Sequence, residues 1–183
     1  MSAPEFTHRI AGQSDIPAIM ALMSASIDGN MSAFLTPAEI VAARETMGVD
    51  QTLIDDGTYF IIEAATPDGP VMVGCGGWGK RRTLYGGNHT VGRDDSFSDP
   101  STEPARIRAM YTHPDWTRRG IGRLLIELGE KAARNAGFST IDLGATIPGE
   151  AFYLSCGYRE LERHATTAAN GSDSVIIHMR KAL

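Results

Sequence analysis

The stretch that decides the fold covers residues 110–123 and reads MYTHPDWTRRGIGR. Pro114 indicates a turn, and the residues after Gly120 and Gly122 show the apolar spacing of a helix. The first turn of a helix has unpaired N–H groups and a partial positive charge, and glycine lets a ligand approach the backbone closely. Two adjacent arginines add positive charge beside that turn. The stretch therefore predicts a strand, a turn and a helix whose first turn suits a pyrophosphate.

Other phosphate-binding loops fit this stretch less well. A Walker loop requires GxxxxGKS or GxxxxGKT, and the sequence contains neither. A Rossmann loop requires a third glycine, where this chain has Leu125. Because two glycines alone are weak evidence, an ordinary strand-to-helix turn that binds nothing is an open alternative.

The helix that follows this turn has the clearest sequence pattern among the predicted elements. Between residues 120 and 136 the apolar positions fall at offsets 0, 3, 4, 7 and 11, the spacing of one helix face, and Gly137 is placed to end the helix. Near the start of the chain, the spacing predicts a helix that begins at Ser14 and ends at Gly29. A capping box that begins at Thr36 predicts another helix.

The strands are predicted from β-rich or alternating segments separated by turn signals. They cover residues 7–10, 59–62, 71–74, 105–112, 141–145, 158–163 and 175–179. Short helical segments are expected at 51–55 and 149–156, and the polar stretch 86–104 is expected to be one long loop. The second and third strands form an antiparallel hairpin in this interpretation. The order of elements predicts a mixed sheet with helices on its faces.

Composition restricts the remaining possibilities. With 183 residues, 42% of them hydrophobic, the chain is predicted to be one domain, 1–183. A net charge of −5 argues against a nucleic-acid partner, because such binders usually present a basic face. The two cysteines belong to no ligand cluster, so no metal site is predicted. The start has no signal-peptide pattern and no apolar run is long enough to cross a membrane, so we expect a cytoplasmic protein with no membrane partner.

Residues 106–158 resemble the core of the GNAT acyltransferase family, named for its N-acetyltransferase members. That family has a strand, a loop of the form Q/R-x-x-G-x-G/A, a helix, another strand and an F-Y-x-x-x-G-F/Y segment. Here the loop reads TRRGIG over 117–122, and the later segment reads FYLSCGY over 152–158, about thirty residues further on. Thr117 departs from the family's Gln or Arg. The resemblance implies an α/β (α+β) fold with a mostly antiparallel central sheet of about six to seven strands.

The resemblance also implies a site for acetyl-CoA as co-substrate. Backbone groups of Met110, Tyr111 and Thr112 would bind the pantetheine arm. The N–H groups of the loop would hold the pyrophosphate; they belong to Arg118, Arg119, Gly120, Ile121, Gly122 and Arg123. Tyr153 would point its hydroxyl at the coenzyme A sulfur and act as general acid, while the plainer alternative makes it a core aromatic residue.

The implied activity is direct acetyl transfer to the amine of a small molecule or a peptide. An ammonium acceptor needs a base, and Glu103, Glu63 and Glu150 are candidates by position. Two other hypotheses stay open: a non-catalytic acyl-CoA sensor of the same fold, and an interaction domain whose turn binds nothing. A homodimer is compatible with the sequence, which does not determine the oligomeric state.

Four further residues could belong to a site, and a structural role explains each of them better. His113 precedes a proline and has no partner in the sequence pattern, so we expect a turn residue. Cys156 has no activating pattern and is expected to be a buried apolar residue. Trp78 and Trp116 are expected to pack in the core, although Trp78 lies where this family often builds the wall of its acceptor site.

Overall fold

The computed structural model describes residues 6–45, 47–167 and 169–183, apart from the side chain of Thr166. Its strands are β1 (Phe6–Ile10), β2 (Tyr59–Thr66), β3 (Gly69–Gly79), β4 (Ala105–Thr112), β5 (Thr140–Thr146), β6 (Arg159–Thr167) and β7 (Asp173–Ala182). They form one sheet in the order β1-β2-β3-β4-β5-β7-β6. Within it, β4 and β5 are parallel and the other neighbours are antiparallel. The predicted mixed, mostly antiparallel sheet is confirmed.

The helices flank this sheet. They are α1 (Ile16–Met31), α2 (Pro37–Ala43), α3 (Gln51–Asp55), α4 (Ile121–Asn135) and α5 (Glu150–Ser155), with short 3-10 turns at Gln13–Asp15, Pro114–Trp116 and Ile147–Gly149. The predicted capping box at Thr36 is present, because its side chain accepts a hydrogen bond from the Glu39 amide and the Glu39 carboxylate accepts one from the Thr36 amide. Among the described residues, no helix is both long and apolar enough to cross a bilayer.

The prediction that Gly29 ends the first helix was wrong, because α1 continues to Met31. Gly29 serves packing instead. A Cβ atom added there would lie 2.7 Å from Cβ of Pro114, so only glycine lets the Pro114 turn rest directly on α1. The helix therefore continues through Gly29 and is anchored to the segment that follows β4.

The core has two layers, one on each face of the sheet. One layer packs α4 against side chains such as Ile62 and Ile107, and the other packs α1 against Ile61 and Tyr111. Adjacent residues of β2 point to opposite faces, as the alternation of a strand requires. The predicted helix stripe after residue 120 is confirmed, and Gly137 ends α4 with φ +92°.

A bulge in β4 opens the sheet. Gly77 pairs with Arg108 and Cys75 with Tyr111, so β4 carries one extra residue, and Ala109 adopts φ +48° there. The regular alternation predicted for this strand therefore breaks, and Arg108 turns out to be buried. Beyond the bulge, β4 has no pairing with β5, since their ladder is limited to Ala105–Ile141 and Arg106–Asp142. A gap between the two strands results.

The predicted long loop is found between β3 and β4, where the described residues contain one isolated bridge, Arg81 to Phe97. An ion pair ties this segment to the body of the protein, and another joins two residues within it. Arg81 binds the Asp56 carboxylate with two hydrogen bonds of 2.7 and 2.8 Å. Arg82 binds Glu103 in the same two-bonded way at 2.6 and 2.9 Å.

Candidate active site

The gap between β4 and β5 is part of a cavity of about 1040 Å³. Its walls come from α1, β4, β5, α5, residues 84–86 and the start of α4. Most residues proposed for the site from sequence line this cavity; they are Met110, Tyr111, Thr112, Arg118, Gly120, Ile121, Gly122, Arg123 and Tyr153. Arg119 is the one proposed residue that is not part of the lining.

The basic turn (residues 117–123) presents backbone donors to the cavity. Arg118 and Gly120 both adopt positive φ, +61° and +89°, which for an arginine is a strained conformation typical of functional turns. Within the described chain, the N–H groups of residues 118–123 donate to no protein acceptor. Space around the Cβ position of Gly120 is open to 4 Å. Successive free N–H groups of this kind form an anion-binding concavity.

The two glycines of the basic turn have different tasks. Gly120 supplies the left-handed backbone that precedes α4. Gly122 has no positive φ, but a Cβ atom on it would lie 3.0 Å from Cζ of Phe152. Gly122 is therefore required for close packing of α4 against α5, in addition to its place in the cavity wall.

The arginines of the turn also differ. Arg118 and Arg123 line the cavity. The Arg119 guanidinium lies over the Trp116 ring, 4.6 Å from its centroid, and donates to the Asp115 carbonyl oxygen at 3.3 Å. Thr117 donates its hydroxyl to the Pro114 carbonyl oxygen at 3.2 Å, so this residue closes the turn.

Two side-chain hydrogen bonds anchor the cavity-facing part of β4. The Asn30 side chain donates to the Thr112 carbonyl oxygen at 2.8 Å, which ties α1 to the end of the strand. The Tyr59 hydroxyl donates to the Ala109 carbonyl oxygen at 2.7 Å, which secures the bulge. These two carbonyl oxygens therefore have hydrogen-bond partners that do not belong to β5. Residues 107–112 form no ladder with β5, so this edge of β4 has no partner among the described strands.

Tyr153 lies on α5 with its ring packed against Phe152 and Tyr158, at centroid distances of 5.1 and 6.1 Å. Tyr153 belongs to a cavity wall, and among the described residues none is seen in a hydrogen bond with its hydroxyl. Burial raises the pKa of Tyr153 to about 12, so the phenol keeps its proton at neutral pH. The arrangement offers a protonated hydroxyl that is free to donate.

The three glutamates considered as bases lie outside the cavity lining. Glu103 binds Arg82 and accepts from the Asp99 amide, and these contacts lower the pKa of its carboxyl to about 2. Glu63 pairs with Arg9 at 3.1 Å, and Glu150 pairs with Arg163. Among the described residues that line the cavity there is neither a carboxylate nor a histidine.

The residues assigned to packing behave as predicted. His113 caps the 3-10 turn by accepting from the Asp115 amide at 3.2 Å, Cys156 is buried, and Trp78 packs edge-on against Phe138. Trp116 packs against Phe6 and also touches the cavity. In the described part of the chain, no group of three His, Cys, Asp or Glu side chains is arranged to hold a metal ion.

Sequence reasoning missed Arg108 and the bulge beside it. Arg108 is 4% exposed and donates to the Asp50 carboxylate at 2.6 Å and to the carbonyl oxygens of Thr83 and Gly86 at 2.9 and 2.7 Å. A signal for the bulge was available. Glycine inside a strand often marks a bulge or a close backbone approach, and besides Gly69 at its start, β3 has four glycines in its second half; they are Gly74, Gly76, Gly77 and Gly79.

Comparison with protein families adds an independent observation. The model of the acetyltransferase (GNAT) domain matches residues 55–160, more than half of the chain. The chain belongs to the GNAT acetyltransferase family. The match includes β4, the basic turn, α4 and α5, so the family assignment and the cavity concern the same residues.

Solved structures of GNAT proteins share the fold of this family member. A GCN5-related N-acetyltransferase from Rhodopseudomonas palustris is 22% identical, with a TM-score of 0.66 and coverage of 100% of this chain and 98% of the other. The PaiA N-acetyltransferase from Thermoplasma acidophilum, solved with coenzyme A, is 12% identical with a TM-score of 0.60 and coverage of 98% and 99%. The ribosomal-protein-alanine N-acetyltransferase from Brucella melitensis is 18% identical with a TM-score of 0.61 and coverage of 97% and 99%. A search of curated proteins gave no match.

Proposed function

We propose that this protein is an acetyl-CoA-dependent N-acetyltransferase that moves an acetyl group directly to the amine of a small molecule or peptide. One observation carries the proposal. The free N–H groups of the basic turn, the unpaired edge of β4 and the free Tyr153 hydroxyl all line one cavity. We include the whole chain, 1–183, in one domain, because the first and last strands belong to the same sheet.

The residues present fit coenzyme A. The diphosphate carries negative charge, which the free N–H groups and the side chains of Arg118 and Arg123 would receive. Arg119 would contribute through its backbone N–H group, since its side chain is engaged with Trp116. Backbone groups of residues 110–112 would bind the pantetheine amides, because that edge of β4 has no strand partner. One neighbour of the same fold was solved with coenzyme A.

Acetyl-CoA supplies an acetyl group already activated as a thioester, so the protein has to position groups and move one proton. The gap beside β4 would place the acceptor amine next to the thioester, which removes most of the entropic cost of their encounter. Tyr153 would donate its hydroxyl proton to the departing sulfur. No protein nucleophile is needed, and burial raises the pKa of the Cys75 thiol to about 12, which removes it as a thiolate at neutral pH.

Two measurements test this proposal against the sensor and against an inert turn. Isothermal titration with acetyl-CoA should show one site per chain. Release of free thiol should then accelerate when a panel of amines is added. Binding without thiol release for any amine would favour the non-catalytic sensor. Absence of binding would contradict both the enzyme and the sensor. Gel filtration during the same work would decide whether the protein is a homodimer, which we retain as a proposal.

A further inference from the structure

Among the described residues, the cavity lining contains cationic side chains but no carboxylate that could serve as a counter-ion for another cation. Its ionisable lining side chains from the described residues are Tyr85, Arg108, Tyr111, Arg118, Arg123 and Tyr153. The Asp28 carboxylate of α1 lies outside this lining and pairs with Arg44. Burial raises the pKa of both Tyr111 and Tyr153, so these phenols stay neutral. Three arginines therefore supply the formal charge of this surface.

The buried carboxylate that binds the lining residue Arg108 is already engaged. Asp50 is 2% exposed and binds Arg108 at 2.6 Å and Arg93 at 3.0 Å. Arg93 also binds Asp95 at 2.8 Å, so two carboxylates balance two guanidinium groups. No negative charge of this cluster is left over for an ammonium group on the acceptor.

The acceptor wall, defined here as Ile27, Met31, Phe34, Leu84 and Ile176, is apolar. An ammonium group beside such a surface loses hydration without gaining a counter-ion. Desolvation therefore favours the neutral amine over the charged form. Because Asp50 already pairs with Arg108, no carboxylate of this cluster offsets that cost.

We infer that the acceptor is a weakly basic amine on an apolar body, with aromatic amines as its chemical class, and that it enters the cavity uncharged. This inference rests on the proposed function. A lysine side chain with a pKa of about 10.4 is neutral in about one molecule per thousand at pH 7.4. An aromatic amine is neutral at the same pH, because its nitrogen lone pair is delocalised into the ring.

The transfer then balances without an enzymatic base. The carbon–nitrogen bond forms while the carbon–sulfur bond breaks, and the electron pair of that bond stays on sulfur. The Tyr153 hydroxyl gives its proton to sulfur and recovers one from the nitrogen, which loses an N–H proton as the amide forms. The products are the neutral amide and the free thiol of coenzyme A.

A matched pair of amines tests the inference by binding. Aniline and benzylamine have similar size and apolar surface but differ in basicity, and both are titrated into protein saturated with coenzyme A. Calorimetry at pH 7 in two buffers of different ionisation enthalpy counts the protons released. We expect close to one proton per benzylamine bound and none for aniline. Benzylamine that binds without proton release enters as ammonium, which would overturn the inference.

Turnover of the same pair provides a second test. Between pH 6 and 9, kcat/KM for aniline should stay level, while that for benzylamine should rise about tenfold per pH unit. A break near neutral pH that both amines share would reveal an enzymatic base and contradict the inference. If neither amine releases thiol at any pH, the proposed function fails, while the proton count still decides whether the cavity selects neutral amines.

Discussion

The basic turn and the acceptor wall belong to one cavity but are built in different ways. The basic turn is a single run of seven residues whose donors are backbone N–H groups fixed by two left-handed residues. The acceptor wall combines side chains from α1, the segment after it, the β3–β4 loop and β7. One region is therefore specified by a local motif, and the other by how distant segments pack.

This difference explains what each region can recognise. Backbone N–H groups remain when side chains change, so the diphosphate contact proposed for the turn does not depend on the identity of most of its side chains. The acceptor wall changes with every substitution on any of its segments. Tyr153 combines both features, since its position on α5 follows from the motif while the role proposed for its hydroxyl concerns the reaction.

The largest effect should come from Tyr153→Phe. Turnover should fall on the order of a hundredfold, because a positioned general acid contributes at least that much. Affinity for acetyl-CoA should change by less than about threefold, and thermal stability should hold, because the hydroxyl has no hydrogen-bond partner among the described residues. Stopped-flow thiol release and isothermal titration measure the two quantities separately.

Tyr158→Phe is the matched control. It removes a hydroxyl from the neighbouring ring, one that donates to Glu130 at 3.1 Å. This variant should lose about 1 kcal/mol of unfolding free energy and keep its turnover. If both variants lost turnover equally, the role of Tyr153 would be structural.

Gly120→Val should weaken cofactor binding next. A β-branched residue is strained at φ +89°, and the turn must change to accommodate it, which misaligns the free N–H groups. We expect the Kd for acetyl-CoA to rise roughly a hundredfold, which corresponds to about 2.7 kcal/mol, or two charge-assisted hydrogen bonds. Isothermal titration provides the measurement.

Gly57→Val controls for backbone strain in that comparison. Gly57 has φ +67° and, like Gly120, has open space around its Cβ position, but it does not line the cavity. Both variants should lose similar stability, while affinity for acetyl-CoA should fall in Gly120→Val alone. A similar loss of affinity in both would show that global strain, and not the turn, weakens binding.

The contrast also explains what the sequence could predict. Helix α4 and its turn were predictable because their apolar spacing and glycines are local. The bulge at Ala109 was not predicted, because the residue itself gives no signal and the cause lies in the glycines of the facing strand. Arg108 was missed for another reason, because Asp50 and the loop carbonyl oxygens of Thr83 and Gly86, which are distant in sequence, cover its side chain. The acceptor wall needs the complete fold, because its side chains are brought together by contacts across the chain.

The pH dependence of turnover should sharpen the role assigned to Tyr153. The hydroxyl acts only when protonated, and burial raises its pKa from 10 to about 12. With an aromatic acceptor, kcat should therefore stay nearly constant up to pH 10.5. A phenol of ordinary pKa would keep its proton in about a quarter of the molecules there, and kcat would fall about fourfold. If kcat fell in this way in the native protein but not in Tyr153→Phe, the pKa of Tyr153 would not be raised.

The smallest effect is expected from Glu103→Gln. The carboxylate is held by Arg82 and the Asp99 amide, and it lies outside the cavity lining. We expect kcat and kcat/KM to stay within about twofold of the native values, because a carboxylate outside the cavity lining cannot act as a base on the acceptor. Glu63→Gln and Glu150→Gln extend the test to the other two candidates, each bound to an arginine. If any of these three variants lost tenfold in kcat/KM with an alkyl amine and nothing with an aromatic amine, that glutamate would be identified as a base. The acceptor side of the cavity could then no longer be contrasted with the basic turn as a surface built from packing alone.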